Sequence, residues 1–281
     1  MSKVKPEGEF RLLRRSRDHG GVTAIVVGPM GSGKTTFMLS KIATPLLERR
    51  EYLFWRGLEF CQWGYLPPSR IKILLSPLQT YRFFDKTKRK LVLIEELEKY
   101  GLKISYCYEH EDFYVKAEIG KLNVVYVDNE GWLEFCEFLT MRPDIEWISL
   151  FMDEIEKFAP ANVEGDLWRF NLKFANLVAE FRKNFISLYC AAQDYGDVDY
   201  RVTNKMNYRV YLSKARVPRT RSLVYPKTPF HLKKNEAIID GGIFTKTRFE
   251  KLKHHLRFVV KISPTEQLVS LEKESHSPPS L

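Results

Sequence analysis

Short runs of apolar residues alternate along the chain with longer stretches that have helical periodicity. The runs lack the polar alternation of half-exposed strands, so they predict strands that are buried on both faces of a parallel sheet. Residues 166–181 place apolar side chains along one face of an amphipathic helix. Strands that alternate with helices predict an α/β fold of three layers around a mostly parallel sheet. The predicted strands cover residues 22–27, 52–56, 71–75, 122–127, 145–152 and 186–192.

Local turn signals predict further elements. A helix is predicted to begin at Lys34 and to end at Pro45, because a proline inside a helix removes a hydrogen bond and clashes with the preceding turn. Residues 91–100 are predicted to form a helix that Gly101 closes. An inserted hairpin is predicted from two stretches of alternating polarity, residues 103–108 and 113–119.

The organisation of the chain favours one compact domain. No internal repeat and no long linker rich in glycine and serine interrupts residues 21–262. Residues 1–20 are basic and polar, which predicts an N-terminal arm. Residues 263–281 cannot bury enough apolar surface to stay folded, which predicts a flexible tail.

The positive charge of the chain is concentrated near its C-terminal end. The sequence has 45 Lys and Arg against 35 Asp and Glu, a net charge of +10. Fifteen of the basic residues and only three of the acidic ones fall within residues 205–261. Aromatic residues are interleaved with the basic ones there, which favours a nucleic-acid surface over a merely solvated basic face. The candidates are Arg209, Lys214, Arg216, Arg219, Arg221, Lys233, Lys234, Tyr208, Tyr211, Tyr225 and Phe230.

Several classes of protein are disfavoured by composition. The longest apolar runs, such as residues 147–152, are far shorter than the roughly 20 residues of a membrane helix. The first residues lack the apolar stretch of a secretory signal, so we expect a cytoplasmic protein. The four cysteines are widely separated and form no C-x-x-C pair, which argues against a zinc site or a disulfide framework.

Residues 28–35, Gly-Pro-Met-Gly-Ser-Gly-Lys-Thr, match the pattern G-x-x-x-x-G-K-[ST] between a predicted strand and a predicted helix. Small residues allow backbone N–H groups to surround phosphate oxygens, and the N-terminus of the helix adds its positive dipole. Lys34 is expected to reach the β- and γ-phosphates, and the Thr35 hydroxyl to bind Mg²⁺. The predicted nucleotide-binding residues are Gly28, Met30, Gly31, Ser32, Gly33, Lys34, Thr35 and Thr36.

A phosphate site of this kind also needs a carboxylate for the metal, and three places compete for that role. Asp153 and Glu154 follow a long apolar run. Asp128 follows another predicted strand but lacks a second carboxylate, while Glu95 and Glu96 lie in a segment that is predicted to be helical. Asp153 is therefore the predicted metal-binding acid together with Thr35, and Glu154 is the group expected to polarise the attacking water.

Two polar residues flank the predicted strand 186–192. Its spacing from Asp153 suggests that this strand is the neighbour of the Asp153 strand in the same sheet. Gln193 would then lie at the carboxyl edge, where ligands bind, and could sense the γ-phosphate or orient water. Arg182 precedes the strand and is a candidate for a charge clamp in its own site or in that of a neighbouring subunit. Ordinary loop or surface positions are the alternatives for both residues.

Three sequence stretches together resemble the additional-strand, RecA-like P-loop ATPases (the ASCE class), and most closely their HerA/FtsK superfamily. They are GPMGSGKTT at 28–36, LFMDE at 150–154 and FRKNFISLYCAAQ at 181–193. The resemblance covers about residues 22–212 and implies ATP and Mg²⁺ as cofactors, Asp153 as the Walker B acid, Glu154 as the catalytic base and Gln193 as a sensor. Residues 52–121 match nothing in the superfamily and are interpreted as an insertion.

Members of this superfamily pump DNA, including in conjugation and viral genome packaging. The resemblance therefore implies an ATP-hydrolysing, DNA-stimulated motor of viral or plasmid type, which would work in the host cytoplasm if viral. It also implies a homo-oligomeric ring, with a hexamer as one option, a trans-acting arginine, and a capsid or membrane-complex partner. Double-stranded DNA is the favoured substrate.

Other nucleotide-dependent functions stay open or are disfavoured. The alternatives are an AAA+ type replication initiator or loader, and an assembly or export ATPase of the zonula occludens toxin-like kind. A GTPase is disfavoured because Asn207 replaces the carboxylate of the guanine-reading N-K-x-D pattern. A nucleotide kinase is disfavoured because Glu154 beside Asp153 suits the activation of water.

Overall fold

The computed structural model describes residues 12–13, 20–142, 146–217, 228–242 and 244–264. The strands in this part of the chain form one sheet of ten strands and a second sheet of three. In chain order they are β1 (Thr23–Val27), β2 (Tyr52–Arg56), β3 (Ile71–Leu75), β4 (Gln79–Asp85), β5 (Lys90–Val92), β6 (Lys103–Tyr106), β7 (Leu122–Tyr126), β8 (Ile148–Met152), β9 (Ile186–Ala192), β10 (Tyr208–Leu212), β11 (Glu236–Asp240), β12 (Phe244–Arg248) and β13 (Phe258–Pro264).

The large sheet has the strand order β12-β11-β10-β1-β9-β8-β2-β7-β3-β6. All strands from β10 to β6 are parallel to their neighbours, and only β11 and β12 are antiparallel additions. Strand β9 pairs with β1 on one side and with β8 on the other. The prediction that the strand before Gln193 neighbours the strand before Asp153 is therefore confirmed.

Helices cover both faces of this sheet, as the α/β pattern predicted. They are α1 (34–48), α2 (His110–Val115), α3 (Asn129–Met141), α4 (Ile155–Phe158), α5 (Gly165–Phe181) and α6 (Tyr200–Thr203). Alternate residues of β1 enter two separate apolar cores: Ala24 and Val26 pack with α1, whereas Ile25 and Val27 pack with the side of α3 and α5. Each central strand is thus buried on both faces, which explains its lack of polar alternation.

The prediction that Pro45 ends the first helix is wrong, because α1 continues to Glu48. It consists of α-helical turns at Lys34–Phe37 and Thr44–Glu48 joined by a π-helical segment, Met38–Ala43. Within the π segment the Thr44 N–H donates to the Leu39 carbonyl five residues earlier. The wider turn lets Pro45, which has no N–H to donate, start the final α-helical turns instead of breaking the helix.

The predicted hairpin at 103–108 and 113–119 is also wrong. Strand β6 is instead the parallel edge strand beside β3, and it is followed by α2. Helix α2 forms because Asp112 accepts from the Tyr108 N–H at 2.8 Å, and because Phe113 is buried. The inserted hairpin exists at a different place, where β4 and β5 pair antiparallel and β13 adds to β4.

The predicted helix at 91–100 is shorter and tighter than expected. Residues Ile94–Tyr100 form a 3₁₀-helix directly after β5, and Gly101 closes it with φ 79°. The closing role of Gly101 is confirmed, since a left-handed conformation favours glycine.

Parts of the predicted arm and of the predicted tail belong to the folded structure. Leu12 and Leu13 of the predicted arm are buried, and the Leu12 carbonyl accepts from the Tyr189 hydroxyl at 2.8 Å. Strand β13 carries the fold to Pro264, past the predicted start of the tail. Residues 1–11 and 14–19 of the arm and 265–281 of the predicted tail lie outside the described residues.

The four cysteines are buried, and none of them forms a disulfide. None of the helices in the described part of the chain combines the length and apolar character that a membrane span requires.

Candidate functional site

The P-loop, residues 28–35, connects the carboxyl end of β1 to the start of α1. Gly31 and Gly33 adopt φ of 75° and 97°, which side chains with a Cβ rarely accept. A Cβ on Gly33 would also lie 3.0 Å from the Phe249 ring. The Gly28 N–H donates to the Ala192 carbonyl of β9 at 3.2 Å. The loop is therefore shaped by its glycines and fastened to the neighbouring strand.

Lys34 lies across the P-loop that carries it. Its Nζ donates to the Gly28 carbonyl at 2.7 Å and approaches the Pro29 carbonyl at 3.4 Å. Burial lowers the pKa of Lys34, and the nearby carboxylates of Asp153, Glu156 and Glu154 oppose that shift. A bound phosphate would add negative charge beside this ammonium group and favour its protonated form.

Unsatisfied polar groups in the P-loop fit an anion. The Ser32 hydroxyl is buried and has no hydrogen-bond partner among the described residues. No side chain caps the first turn of α1, so its N-terminal dipole faces the loop. Thr36 is buried and lines the adjoining cavity, whereas Met30 is 84% exposed at its rim. These features are those of a phosphate cradle.

The carboxyl end of β8 lies beside the P-loop. The Thr35 hydroxyl donates to Asp153 Oδ2 at 2.6 Å, and the Glu154 N–H donates to Asp153 Oδ1 at 3.0 Å. Asp153 is 4% exposed. Burial raises the pKa of its carboxyl group, and the Thr35 hydroxyl and the Lys34 ammonium group oppose that shift. A hydroxyl and a carboxylate held together in this way provide the oxygen ligands that Mg²⁺ prefers.

Glu154 has an unusual backbone conformation at the start of α4. Its φ and ψ are 51° and 49°, a left-handed conformation that costs a residue other than glycine about 1–3 kcal/mol. The side chain lines the same cavity as Thr35 and forms an ion pair with Lys157 at 2.7 Å. The turn after Asp153 thus directs a second carboxylate toward the cavity.

Gln193 follows the carboxyl end of β9 and lines the cavity together with Asp153 and Glu154. Its N–H donates to Glu156 Oε1 at 3.3 Å, which links the end of β9 to α4. The other oxygen of Glu156 is buried without a partner among the described residues, and burial raises the pKa of this carboxyl group. Sequence reasoning missed Glu156, although its position two residues after Glu154 was a usable signal.

The other candidate residues lie away from the cluster of Thr35, Asp153, Glu154 and Gln193. Asp128 caps α3 by accepting from the Gly131 N–H at 2.8 Å, and three strands separate its strand β7 from β1. Arg182 precedes the amino end of β9, about 20 Å from the carboxyl end that Gln193 follows. A charge clamp by Arg182 in its own site is therefore not supported by the geometry. Glu95 and Glu96 lie in the 3₁₀-helix.

The cluster opens into a cavity of 440 Å³, within the range of about 300–1,000 Å³ that is usual for small-molecule sites. The sequence predicted one wall of the cavity and missed two others. One missed wall comes from the loop after β2, and the other from the segments around β11 and β12. Those additional lining residues are Phe60, Gln62, Tyr65, Lys234, Asn235 and Lys251.

No protein-family model matches the chain, and the comparison with curated proteins gives no match. Solved structures do match in three dimensions. The genome packaging NTPase B204 from Sulfolobus turreted icosahedral virus 2, in complex with ATP-gammaS, is 12% identical; the match covers 83% of this chain and 98% of that chain with a TM-score of 0.52. The bacterial conjugative coupling protein TrwBdeltaN70, in complex with sulphate, is 10% identical; the match covers 88% and 92% of the two chains with a TM-score of 0.57.

The fold is that of an additional-strand P-loop NTPase. In this fold β9 is the strand inserted between the P-loop strand β1 and the Asp153 strand β8. The fold class that the three sequence motifs implied is thus confirmed, and the catalytic candidates Asp153, Glu154 and Gln193 all lie on the P-loop edge of the sheet.

The predicted basic surface is only partly accessible. Arg209 and Tyr211 are buried, and the Arg209 guanidinium group donates to the Tyr195 hydroxyl at 3.1 Å. These two residues stabilise the fold and cannot contact a large partner. Lys214, Arg216, Lys233, Lys234 and Phe230 are exposed, whereas Arg219, Arg221 and Tyr225 lie outside the described residues.

Proposed function

We propose that the protein is a Mg²⁺-dependent ATPase that moves double-stranded DNA within a homo-oligomer. One observation carries the ATPase part: Thr35 Oγ1 and Asp153 Oδ2 are 2.6 Å apart at the P-loop, with Glu154 and Gln193 on the same cavity. The structural neighbours, described as a genome packaging NTPase and a conjugative coupling protein, support the DNA part. The predicted domain, 21–262, would be the motor unit.

The P-loop residues would hold the triphosphate. Lys34 exchanges the carbonyls of its own loop for β- and γ-phosphate oxygens, and the buried Ser32 hydroxyl gains an acceptor. The Thr35 hydroxyl and the Asp153 carboxylate, which are hydrogen-bonded to each other, would hold Mg²⁺ through their oxygens. When bound, Mg²⁺ neutralises the charge that develops on the phosphates. Complexes of the viral neighbour with ATP-gammaS and with AMPPCP support a nucleotide as the ligand.

Glu154 and Gln193 would act on the attacking water. The Glu154 carboxylate accepts the proton of the water as it attacks the γ-phosphate, and the Gln193 amide orients that water. The hydrogen bond from the Gln193 N–H to Glu156 keeps the end of β9 fixed relative to α4, which follows Glu154. Hydrolysis would therefore affect the positions of β9 and α4 together.

The DNA part of the proposal rests on the basic segment 205–261. Its exposed lysines and arginines would neutralise backbone phosphates without reading the base sequence. A ring of subunits would place several such segments around one duplex. The proposal also includes a cation that a neighbouring subunit supplies to the nucleotide site, for which Arg182 is the candidate from the sequence. It further includes a capsid or membrane-complex partner.

The test is ATP hydrolysis by the purified protein with and without double-stranded DNA over a series of salt concentrations. A motor should be stimulated by DNA, and stimulation should weaken steeply as salt releases the phosphate contacts. Lys34→Ala controls for contaminating ATPases. A hydrolysis rate that is indifferent to every nucleic acid would contradict translocation and would favour an assembly or export ATPase instead.

A further inference from the structure

The β11–β12 hairpin brings its two open ends to the P-loop edge of the sheet. Strand β10 is parallel to β1, so its end at Leu212 lies on the same edge as the P-loop. Leu212 pairs with Ala237 at the start of β11, and Glu236 pairs with Arg248 at the end of β12. The residues just before β11 and just after β12 therefore lie beside the P-loop.

Phe249, the first residue after β12, fastens this hairpin to the P-loop. Its ring packs edge-on against Phe37 of α1 at 5.4 Å between centroids, and it lies against Gly33. Its backbone N–H donates to the Asn235 carbonyl at 3.0 Å, which joins the two open ends of the hairpin. Asn235 itself has a positive φ of 72°.

Residues 249–257, here called the strap, then run from the P-loop to the loop after β2 and contribute Lys251 to the cavity lining. The N–H groups of His255 and Leu256 donate to the Gly64 carbonyl at 2.8 and 3.0 Å, and the His254 ring stacks on Tyr65 at 3.7 Å. The strap thus connects the P-loop to the loop after β2. Lys251 lies in the first part of the strap.

Lys234 and Lys251 line the cavity together with Asn235. Within the described residues neither lysine forms an ion pair. Glu236, two residues after Lys234, is engaged by Lys246 at 2.9 Å and by Arg248 at 3.1 Å instead. Glu250, which adjoins Lys251 in sequence, forms no ion pair with it within the described residues. Two uncompensated cations at one cavity wall favour an anionic ligand.

The strand order determines which part of a nucleotide these residues would meet. Asp153, which with Thr35 would hold the metal at the terminal phosphate under the proposed function, follows β8 on one side of β1. The hairpin lies on the opposite side, beyond β10. A triphosphate with its γ-phosphate at Asp153 therefore extends its other end toward the hairpin.

We infer that Lys234 and Lys251 bind the α- and β-phosphates on the nucleoside side, and that Asn235 binds the ribose or the base. This inference rests on the proposed ATPase function. It gives the basic C-terminal segment a role inside the nucleotide site of its own chain. Since ATP and ADP share these phosphates, both nucleotides should depend on the two lysines to the same degree.

The test compares Lys234→Ala/Lys251→Ala with the matched variant Lys233→Ala/Lys253→Ala, which removes two exposed charges from the same segments outside the cavity lining. ATP and ADP binding with Mg²⁺ are measured by calorimetry. The first variant should raise both dissociation constants by the same factor, about tenfold, because charge-assisted hydrogen bonds are lost. The matched variant should bind both nucleotides like the wild type.

Two results would overturn the inference: unchanged binding in the first variant, or a several-fold larger loss for ATP than for ADP, which would place the lysines on the γ-phosphate. Lys234→Arg/Lys251→Arg should restore binding, and thermal unfolding excludes a folding defect. If the wild type fails to bind ATP, the proposed function fails as well. If the wild type binds ATP and the first variant binds equally well, this inference alone fails.

Discussion

Two of the three walls of the cavity are built on different principles. The P-loop edge, formed by the P-loop, Asp153, Glu154 and Gln193, consists of turns at the ends of buried parallel strands. The hairpin–strap, formed by β11, β12 and residues 249–257, presents long exposed side chains from an antiparallel addition. Backbone geometry places the groups of the first wall, whereas the packing of Phe249 and the ion pairs of Glu236 position the segments that carry those of the second.

Because of this difference, the two walls should differ in how well they tolerate amino-acid substitutions. Asp153 is buried between fixed partners, so a small displacement would remove its contact with Thr35. Lysines of the hairpin–strap can adjust through several rotatable bonds and make contacts of lower specificity. We therefore expect the largest functional losses at the P-loop edge and graded effects at the hairpin–strap.

The largest expected effect is that of Lys34→Ala. Removal of the ammonium group eliminates charge-assisted hydrogen bonds to two phosphates, so the dissociation constant for ATP should rise about 100-fold or more. Calorimetry with Mg²⁺ and ATP measures this change. The control is Lys183→Ala, which removes an exposed lysine paired with Glu180 and should leave binding intact. Equal binding by both variants would contradict the assignment of the P-loop.

Glu154→Gln should separate binding from hydrolysis. The amide cannot accept the proton of the attacking water, so the hydrolysis rate should fall by about 10²–10⁴. ATP should still bind, because the cradle is unchanged. Glu164→Gln, an exposed position before α5, is the control for loss of one negative charge. If Glu154→Gln loses binding as Lys34→Ala does, Glu154 is part of the cradle and is not the base.

Phe249→Ala tests whether the hairpin–strap stabilises the P-loop. The ring is buried against Phe37 and Gly33, so its loss should lower the free energy of unfolding by about 3 kcal/mol. Urea unfolding measures this value. Phe230→Ala, at a ring that is 57% exposed, should cost far less. Similar costs for the two substitutions would show that the strap does not pack on the P-loop in solution.

A double-mutant cycle with Gly33→Ala measures the contact between the two walls. In the wild-type background alanine must adopt the positive φ of Gly33, and its added methyl group would lie 3.0 Å from the Phe249 ring. In the Phe249→Ala background only the cost of positive φ remains, about 1–3 kcal/mol. Gly33→Ala should therefore destabilise less when Phe249 is absent. Additive free energies of unfolding would mean that the walls are uncoupled.

The smallest effect is the pH dependence contributed by Glu236 in the hairpin. The hydrogen bond from Lys246, together with the bonds from the Lys233 N–H and Arg248, lowers the pKa of Glu236 from 4.5 to about 2. Because the folded pKa is depressed, this stabilisation is present above pH 4.5 and is lost as the pH falls toward 2. The difference in unfolding free energy between the wild type and Glu236→Gln should shrink over that interval. A constant difference would contradict the ion pairs.

Local sequence signals indicated which segments lie at the P-loop edge, because each of them is short and continuous. Strands at 52–56, 71–75 and 186–192 have the predicted bounds. The prediction of a hairpin at 103–119 was wrong, because alternation of polar and apolar residues over a few positions also fits an edge strand followed by a short helix. The prediction that the first helix ends at Pro45 was wrong, because the π-helical segment before Pro45 allows the helix to continue through a residue that has no N–H.

The sequence by itself determined the P-loop, the order of strands and helices around it, and the identity of the carboxylates at the strand ends, since these depend on neighbouring residues. The spacing of the segments already suggested that β9 neighbours β8, but only the tertiary structure decided that β9 also pairs with β1, that Arg182 is at the far edge, and that Lys234 and Lys251 share the cavity. Those facts depend on the pairing of strands far apart in the chain. No local pattern of polarity encodes which distant strand will be the neighbour.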